Sequence, residues 1–344
     1  MQRAYRSRGL SFLPKLTLAL TIGLAASTAS YAQNVYTPPV GFINVPVTNV
    51  SGGYNTFALP FQQLNNDQGA VTVVSGPSNI TVNCATCAST NYALPGALNY
   101  VIFNTGNALG HSYAIASNSS AGALTLVTGG DNLTTIGGTG VQVGDSYSIQ
   151  PYFRVVDVFG PATGGVLSNG TAATKADNVL VWNGAAFTTY WPKNTGLWQG
   201  GTNPNGTDPL LPDESVLVLR RSANPTNIVA IGGVRVTNLV TQLEVGYNLI
   251  GNSYPASTVV SNMNLIGSGS GFQGGSAATK SDQILVWNGS AFDQLWYKTN
   301  STPNSWQGGN GLAGAYPILP SSTYFVLLQH GTAGDWPRPL PYSP

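Results

Sequence analysis

Side chains that can attack a substrate, transfer protons or bind metal are few in this chain and lie far apart. Its 344 residues include two histidines, two cysteines and twelve carboxylates. A catalytic triad needs a serine or cysteine beside a histidine with an orienting acid, and the residues around His111 and His330 show no nucleophile elbow. We therefore expect both histidines at ordinary loop positions and predict that the protein is not an enzyme.

The two cysteines, Cys84 and Cys87, have the CxxC spacing. A thioredoxin-type redox pair needs a strand-to-helix context and a zinc site needs two further ligands, and the surrounding Ser, Thr, Asn and Pro residues favour neither. In an oxidising compartment this spacing favours a small local disulfide. The loops around Asp67 and Asp131 each have one carboxylate and lack the acid-rich spacing of a calcium loop, so we interpret both as turns. We predict no metal site and no cofactor.

One long segment of the chain occurs twice. Residues Ala172–Phe187 return with few changes as Ala277–Phe292, and a downstream Trp-Gln-Gly-Gly sequence begins at Trp198 in the first copy and at Trp306 in the second. Self-similarity at a long period predicts one structural unit used twice. The adjacent acids Asp213-Glu214 are replaced by serines in the second copy, so the unit folds without them, and the acids do not pair as in a glycoside hydrolase.

The elements that carry these residues are predicted to be strands. Short β-branched and aromatic runs are bounded by Gly, Asn and Pro, and no apolar helical period stands out after the N-terminal segment. A fainter likeness between Gly53–Pro60 and Gly246–Asn252 suggests where each unit begins, and in the first copy a long extra segment follows. We predict an all-β fold of two tandem related β-sandwich- or barrel-like domains, with a smaller β-module inserted in the first. The predicted boundaries are residues 33–61 plus 151–227 for the first domain, 62–150 for the module and 228–344 for the second domain.

The N-terminal residues predict export. Four basic residues precede a mostly apolar run at 16–26 and small residues at 27–32, which is typical of a signal peptide cleaved after Ser30-Tyr31-Ala32. The run is too short to span a bilayer comfortably, and an uncleaved membrane anchor is the alternative. We expect residues 1–32 to be removed on the general secretory route, leaving a secreted or cell-surface protein that is not inserted in a membrane.

Charge argues against a nucleic-acid partner. Without residues 1–32 the chain has nine of its 13 basic residues and all 12 acidic ones, which gives a net charge of −3. Polyanion binding needs clustered Lys and Arg, and the one adjacent basic pair is Arg220-Arg221, at the end of an apolar strand.

Several short motifs together resemble a family of uncharacterised exported bacterial proteins of planctomycete and verrucomicrobial type. The motifs are the Val-Gly-Phe strand at Val40–Val45, the Gly-Asp-Ser-Tyr segment at Gly144–Tyr152, the repeated Trp-Asn-Gly turn with its downstream Trp, and the Trp-x-x-x-Pro-type segment at Trp336–Leu340. The resemblance covers nearly all of the chain after residue 32. The resemblance implies export and β-architecture, and it identifies no catalytic residue in this chain.

Two sets of repeated residues are candidates for ligand binding. Trp198-Gln199 and Trp306-Gln307 lie in a segment of variable length, where the indoles either pack in the core or form exposed platforms that stack on sugar rings. Asp177 and Asp282 each follow a lysine, Lys175 or Lys280, by two residues. These pairs either cap a turn and form a local ion pair, or contact a polar ligand.

Two classes of function remain open. A near-neutral repeated β-protein without a chemical site is typical of a structural or adhesive component of a cell surface or matrix, whose partners are other surface proteins or further copies of itself. The alternative is a carbohydrate-binding protein that holds polysaccharide between its paired Trp loops. A polysaccharide-acting hydrolase is a remote third possibility.

Overall fold

The chain is built almost entirely from β-strands, which confirms the predicted all-β class. The computed structural model describes residues 39–94, 98–202 and 204–343, so the predicted signal peptide lies outside the described residues. One short α-helix is present within those ranges, α1 (Val155–Phe159). No helix in the described ranges is long and apolar enough to cross a membrane.

The strands alternate with turns along the whole described chain. In chain order they are β1 (Val40–Val47), β2 (Gly53–Ala58), β3 (Asp67–Val74), β4 (Asn79–Val82), β5 (Asn99–Phe103), β6 (Ser112–Asn118), β7 (Ala123–Val127), β8 (Ser146–Pro151), β9 (Phe153–Arg154), β10 (Asn178–Trp182), β11 (Phe187–Pro192), β12 (Trp198–Gln199), β13 (Pro209–Leu210), β14 (Ser215–Arg220), β15 (Thr226–Gly233), β16 (Leu239–Leu243), β17 (Gly246–Gly251), β18 (Thr258–Val259), β19 (Gln283–Trp287), β20 (Phe292–Lys298), β21 (Ser305–Gly308), β22 (Pro317–Ile318), β23 (Thr323–Leu328) and β24 (Gly334–Arg338). Short 3-10 turns occupy Pro204–Gly206, Val260–Asn262, Ala278–Lys280, Gly309–Gly311 and Ala313–Ala315.

The two copies of the repeat form two five-stranded sheets with the same strand order. The first sheet runs β12-β11-β10-β14-β2 and the second runs β21-β20-β19-β23-β17, with every neighbouring pair antiparallel. Smaller pairs match as well, since β9 pairs with β13 in the first copy and β18 with β22 in the second. Recurrence of the sequence therefore corresponds to recurrence of the topology.

A two-stranded ribbon accompanies each sheet and corrects one predicted boundary. β1 pairs with β15 along its whole length, from Val40 opposite Gly233 to Val47 opposite Thr226. The matching ribbon of the second copy is β16 with β24. The boundary predicted between residues 227 and 228 thus falls inside β15, a strand of the first copy. The sequence showed a strand ahead of Gly246 but not which strand would pair with it.

A closed six-stranded barrel separates β2 from β9 in the first copy. Its strand order is β3-β4-β7-β6-β5-β8, and β8 closes it by pairing with β3. In the second copy the chain passes directly from β17 to β18. The barrel has its own apolar core, which includes Val101, Phe103, Ile115 and Ile149. Alternate residues of its short strands point inward, which suits a small barrel filled by side chains.

The two sheets meet where β2 and β17 approach each other. The Ala58 N–H donates to the Ser321 carbonyl at 3.2 Å, and the Gly251 N–H donates to the Asp213 carbonyl at 3.0 Å. A side chain at Gly251 would collide with the Ala58 Cβ, so this approach requires glycine. Hydrogen bonds between the copies therefore fix where the sheets touch.

Aromatic rings extend this contact. Trp182 of the first sheet lies edge-on to Phe325 of the second, with ring centroids 6.1 Å apart, and its Nε1 donates to the Tyr247 carbonyl at 3.0 Å. The equivalent Trp287 stays within its own sheet against Phe292, and its buried Nε1 has no hydrogen-bond partner among the described residues. Equivalent tryptophans thus have different polar environments.

This difference predicts unequal costs for the same substitution. Trp182→Phe should lower the free energy of unfolding by about 1 kcal/mol more than Trp287→Phe, because only Trp182 loses a hydrogen bond while Trp287 loses a buried unsatisfied N–H. Both variants lose the same ring volume and so control for each other. Urea denaturation followed by fluorescence measures the difference, and equal losses would contradict the assigned role of the Trp182 indole.

Candidate functional site

The structure contradicts the interpretation of Trp198 and Trp306 as exposed stacking platforms. Their exposed fractions are 4% and 8%. Trp198 packs against Phe159 and donates from Nε1 to the Gly160 carbonyl at 3.0 Å. Trp306 packs against Phe272 and Tyr297, with centroid distances of 5.8 and 5.5 Å. Both tryptophans therefore belong to the cores of their repeats.

The physical reason is that each Trp-Gln pair lies in an edge strand and not in a loop. β12 and β21 pair with β11 and β20, so successive side chains point to opposite faces. The tryptophans point into the cores, and the glutamines are half-buried. The Gln199 amide donates to the Trp198 carbonyl at 3.1 Å, and the Gln307 amide donates to the Ser305 hydroxyl at 2.9 Å.

Asp177 is a buried structural carboxylate and not a ligand contact. It forms an ion pair with Arg220, whose side chain is also buried. Its oxygens also accept the N–H groups of Ser168 and Arg221, both at 2.6 Å. Lys175 is exposed and forms no ion pair within the described ranges. The predicted Lys175–Asp177 pair is therefore wrong, because the carboxylate points inward and a strand-end arginine provides its charge partner.

Asp282 occupies the same position in the second copy without a cation. The residue matching Arg220 is Leu328, as the registers of β10 with β14 and β19 with β23 show. The carboxylate accepts N–H groups from Gln273 at 2.7 Å, Gln329 at 2.8 Å and His330 at 2.7 Å, with Gly331 at 3.2 Å. Lys280 is exposed, so the predicted Lys280–Asp282 pair is also wrong. Neither carboxylate is accessible to a ligand.

A disulfide joins Cys84 and Cys87, with their Cα atoms 5.5 Å apart. It lies in the turn that follows β4 of the barrel. The neighbouring Asp67 is buried and accepts the Thr86 N–H at 2.9 Å and the Tyr147 hydroxyl at 3.1 Å. The cysteine segment therefore belongs to a hydrogen-bonded end of the barrel and leaves no free thiol for chemistry.

The most exposed apolar surface lies on the β1–β15 ribbon. Its outer face carries Val40, Phe42, Val229 and Ile231, which are 60%, 75%, 50% and 60% exposed, together with exposed Asn44, Pro46 and Asn227, and we call it the ribbon face. Phe42 stands directly opposite Ile231. Neither strand contains a charged residue, while alternate side chains on the inner face pack on the core of the first repeat. The ribbon is thus apolar on its inner face and uncharged and mostly apolar on its outer face, which is unusual for a surface element.

The corresponding face of the second ribbon is covered by the barrel. The Val240 N–H donates to the Gly110 carbonyl at 2.9 Å, and the Gln242 amide donates to Asp131 at 2.5 Å. Val240 is buried as a result. Nearby, Tyr100 of the barrel wall shares an apolar cluster with Leu239 of the second ribbon. Only the first ribbon keeps an open outer face.

An open depression of about 620 Å³ lies beside β20 and β21 of the second repeat. Tyr297 and Trp306 provide the aromatic part of the lining, and the rest combines polar residues such as Ser261 and Asn264 with apolar residues such as Ile266. The depression therefore combines aromatic surface with hydroxyl and amide groups. It lies next to the predicted Trp306 site, but Tyr297 provides its aromatic surface more than the buried indole does.

One cluster of potential metal ligands was missed by sequence reasoning. His111 precedes β6, Asp131 follows β7 and Asp335 lies in β24, and ligand atoms of all three lie within 4.8 Å of one another. Burial lowers the pKa of His111, and burial together with the Asp131 charge raises the pKa of Asp335 to about 6. The Tyr113 hydroxyl donates to Asp131 at 2.6 Å. No local motif could reveal this cluster, because it forms only when the barrel docks on the second repeat.

Comparisons with known proteins return no relative: no protein-family model, no curated protein and no solved structure matches the chain.

The two buried aspartates predict different costs for one substitution. Asp177→Asn should destabilise the protein by about 3–5 kcal/mol, because it leaves the Arg220 guanidinium buried without its charge partner. Asp282→Asn should cost about 1–3 kcal/mol, because it weakens only bonds from backbone N–H groups. Guanidinium denaturation measures both. Lys175→Ala and Lys280→Ala are the controls and should change the free energy of unfolding by less than about 0.5 kcal/mol. A large loss of stability in either lysine variant would instead support the predicted ion pair between that lysine and its aspartate.

Proposed function

We propose that this chain is an exported, non-enzymatic structural or adhesive protein of the cell surface or matrix, and that it associates with a second copy of itself through the ribbon face. The observation that carries the proposal is the exposure of Val40, Phe42, Val229 and Ile231 on one uncharged face. Export rests on the residues that precede the described fold, and the absence of a catalytic role rests on the positions of the reactive side chains.

Burial of the ribbon face would be strongly favourable. Full burial of a Val, Ile or Phe side chain stabilises by about 1.5–3 kcal/mol relative to exposure. Soluble monomers rarely leave large side chains contiguous on one face without a binding role. The chain itself covers the matching face of its second ribbon with the barrel, through the Val240–Gly110 hydrogen bond. The same architectural element is thus covered in one repeat and open in the other.

The shape of the ribbon favours an identical partner. Phe42 and Ile231 lie opposite each other on the two antiparallel strands of the ribbon. When two ribbon faces stack about a two-fold axis that runs parallel to the strands between them, Phe42 of one copy lies over Ile231 of the other, and the reverse. Such an isologous contact is self-complementary and closes after two copies. No charge on either strand opposes it.

The reactive side chains support a non-enzymatic role. Asp177 and Asp282 are buried and satisfied by structural hydrogen bonds. The His330 Nε2 atom lies 3.0 Å from the Thr279 carbonyl oxygen, so its hydrogen-bond partner is a backbone group and not a nucleophilic side chain. The two repeated carboxylates are therefore used within the fold and are not available for hydrolysis.

Self-association predicts a concentration-dependent dimer that depends on two side chains. Phe42→Ser with Ile231→Ser should convert the protein to a monomer, because both substitutions remove apolar area from the centre of the contact. Analytical ultracentrifugation measures the mass, and circular dichroism checks folding. Val127→Ser with Val245→Ser is the matched control, since these valines are 58% and 65% exposed on other surfaces. A wild-type protein that stays monomeric at high concentration, or a double variant that still dimerises, would refute the proposal.

The depression beside Tyr297 supports carbohydrate binding as a second candidate function. It offers an aromatic side chain to a sugar ring and several hydroxyl and amide groups to its hydroxyls.

Carbohydrate binding predicts retention on at least one insoluble polysaccharide and loss of that retention in Tyr297→Ala. Removal of the ring takes away its stacking surface, which we expect to weaken binding about tenfold or more. Tyr54→Ala is the control, because Tyr54 is exposed on β2, away from the depression. Equal retention of both variants, or no retention of the wild type, would remove this candidate.

A further inference from the structure

We infer that His111, Asp131 and Asp335 form a binding site for one divalent transition-metal ion of the zinc type. The inference is independent of the proposed self-association, because the cluster lies on the side of the barrel that faces the second repeat and not on the ribbon face. It rests on three observations: the convergence of the three side chains, their charge, and the groups that orient them.

The three side chains come from distant parts of the chain. His111 and Asp131 lie in turns at one end of the barrel, and Asp335 lies on β24 of the second ribbon. Their ligand atoms are nonetheless all within 4.8 Å of one another. An ion bound to all three would connect the barrel directly to the second repeat. The site would therefore stabilise the docking that covers the second ribbon.

No Lys or Arg within the described ranges forms an ion pair with either carboxylate of the cluster, Asp131 or Asp335. His111 is about nine-tenths buried and lies beside both carboxylates. Two partly buried carboxylates thus face each other next to the imidazole of His111. Like charges at this separation repel, and a bound cation would turn the repulsion into attraction.

The donor set selects the class of ion. An imidazole nitrogen with two carboxylate oxygens suits zinc and similar first-row ions, which accept mixed nitrogen and oxygen ligands. Calcium instead prefers six to eight oxygen ligands. Three protein ligands leave at least one position for water, as in zinc sites that are not fully enclosed.

Neighbouring groups hold the ligands in place. The Tyr113 hydroxyl donates to Asp131 at 2.6 Å, and the Tyr113 ring stacks on the imidazole of His111. The Gln242 amide donates to the same carboxylate at 2.5 Å. Hydrogen bonds from outer groups of this kind orient the ligands of protein metal sites. The side-chain carboxylate of Asp335 accepts no hydrogen bond from the described residues, so its oxygens can bind an ion.

Metal content is the direct test. The purified protein, treated with chelator and then dialysed against excess Zn²⁺ and against metal-free buffer, should retain one zinc per chain by elemental analysis. His111→Gln and Asp335→Asn should each lose it. His330→Gln and Asp293→Asn are matched controls: His330 is the other histidine, and Asp293, like Asp131, accepts a tyrosine hydroxyl, here from Tyr316 at 2.7 Å. Both controls should keep the zinc.

Thermal unfolding gives a second readout, because the stability of Asp335→Asn relative to the wild type should differ between metal-free and zinc-containing buffer. Without metal, Asp335→Asn should be at least as stable as the wild type, because it removes the repulsion from Asp131. At zinc concentrations about a hundred times the dissociation constant, the wild type and both controls should gain on the order of 5 °C, while Asp335→Asn should gain nothing. A purely structural role for Asp335 would give a loss of stability in both conditions.

The wild type alone also tests the site. Co²⁺ in place of Zn²⁺ should give a visible absorption spectrum, and X-ray absorption of the zinc form should show nitrogen and oxygen neighbours at about 2.0–2.2 Å and no sulfur. The inference is overturned if the wild type retains no zinc, if it binds only Ca²⁺, or if the His330 and Asp293 variants lose zinc equally.

Discussion

The buried aspartate at the start of the central strand is the interaction on which each repeat depends. Asp177 and Asp282 stand just before β10 and β19, and each accepts N–H groups from two distant segments. One segment is the turn nine residues upstream, and the other is the end of β14 or β23. A carboxylate has about four acceptor sites on its two oxygens, whereas an amide or a hydroxyl has about two. The ends of neighbouring strands are thus held by a single side chain.

The two copies stabilise the buried aspartate charge in different ways. Arg220 neutralises Asp177, whereas Leu328 takes the arginine's place and Asp282 depends on backbone N–H groups alone. Hydrogen bonds from several N–H groups can stabilise a buried carboxylate without a counter-charge. The arginine is therefore a property of the first copy and not a requirement of the fold. Divergence between the repeats has altered the electrostatics while the strand order stayed the same.

Much of the fold could be predicted from the sequence, and the side-chain environments could not. The duplicated Trp-Asn-Gly unit and the β-branched runs correctly indicated repeated β-structure, because period and propensity are local properties. The direction of Trp198 and Trp306 depends on whether their segment is a loop or an edge strand, which only pairing with β11 or β20 decides. The charge partner of Asp177 is Arg220, which lies 43 residues away along the chain, whereas the sequence predicted the nearer Lys175. The His111, Asp131 and Asp335 cluster depends on the docking of two parts of the molecule, which no spacing in the sequence encodes.

The pairing of β1 with β15 has a consequence for the order in which the chain can fold. β3 and β8 bound one continuous segment, so closure of the barrel needs no residue after 151. β1 must wait for β15, whose residues follow both the barrel and the whole first sheet. Domains form in sequence as a chain emerges, and pairings over long separations form late. The more apolar strand of the ribbon therefore pairs late in folding, and until β15 arrives its apolar side chains are exposed to contact with other chains.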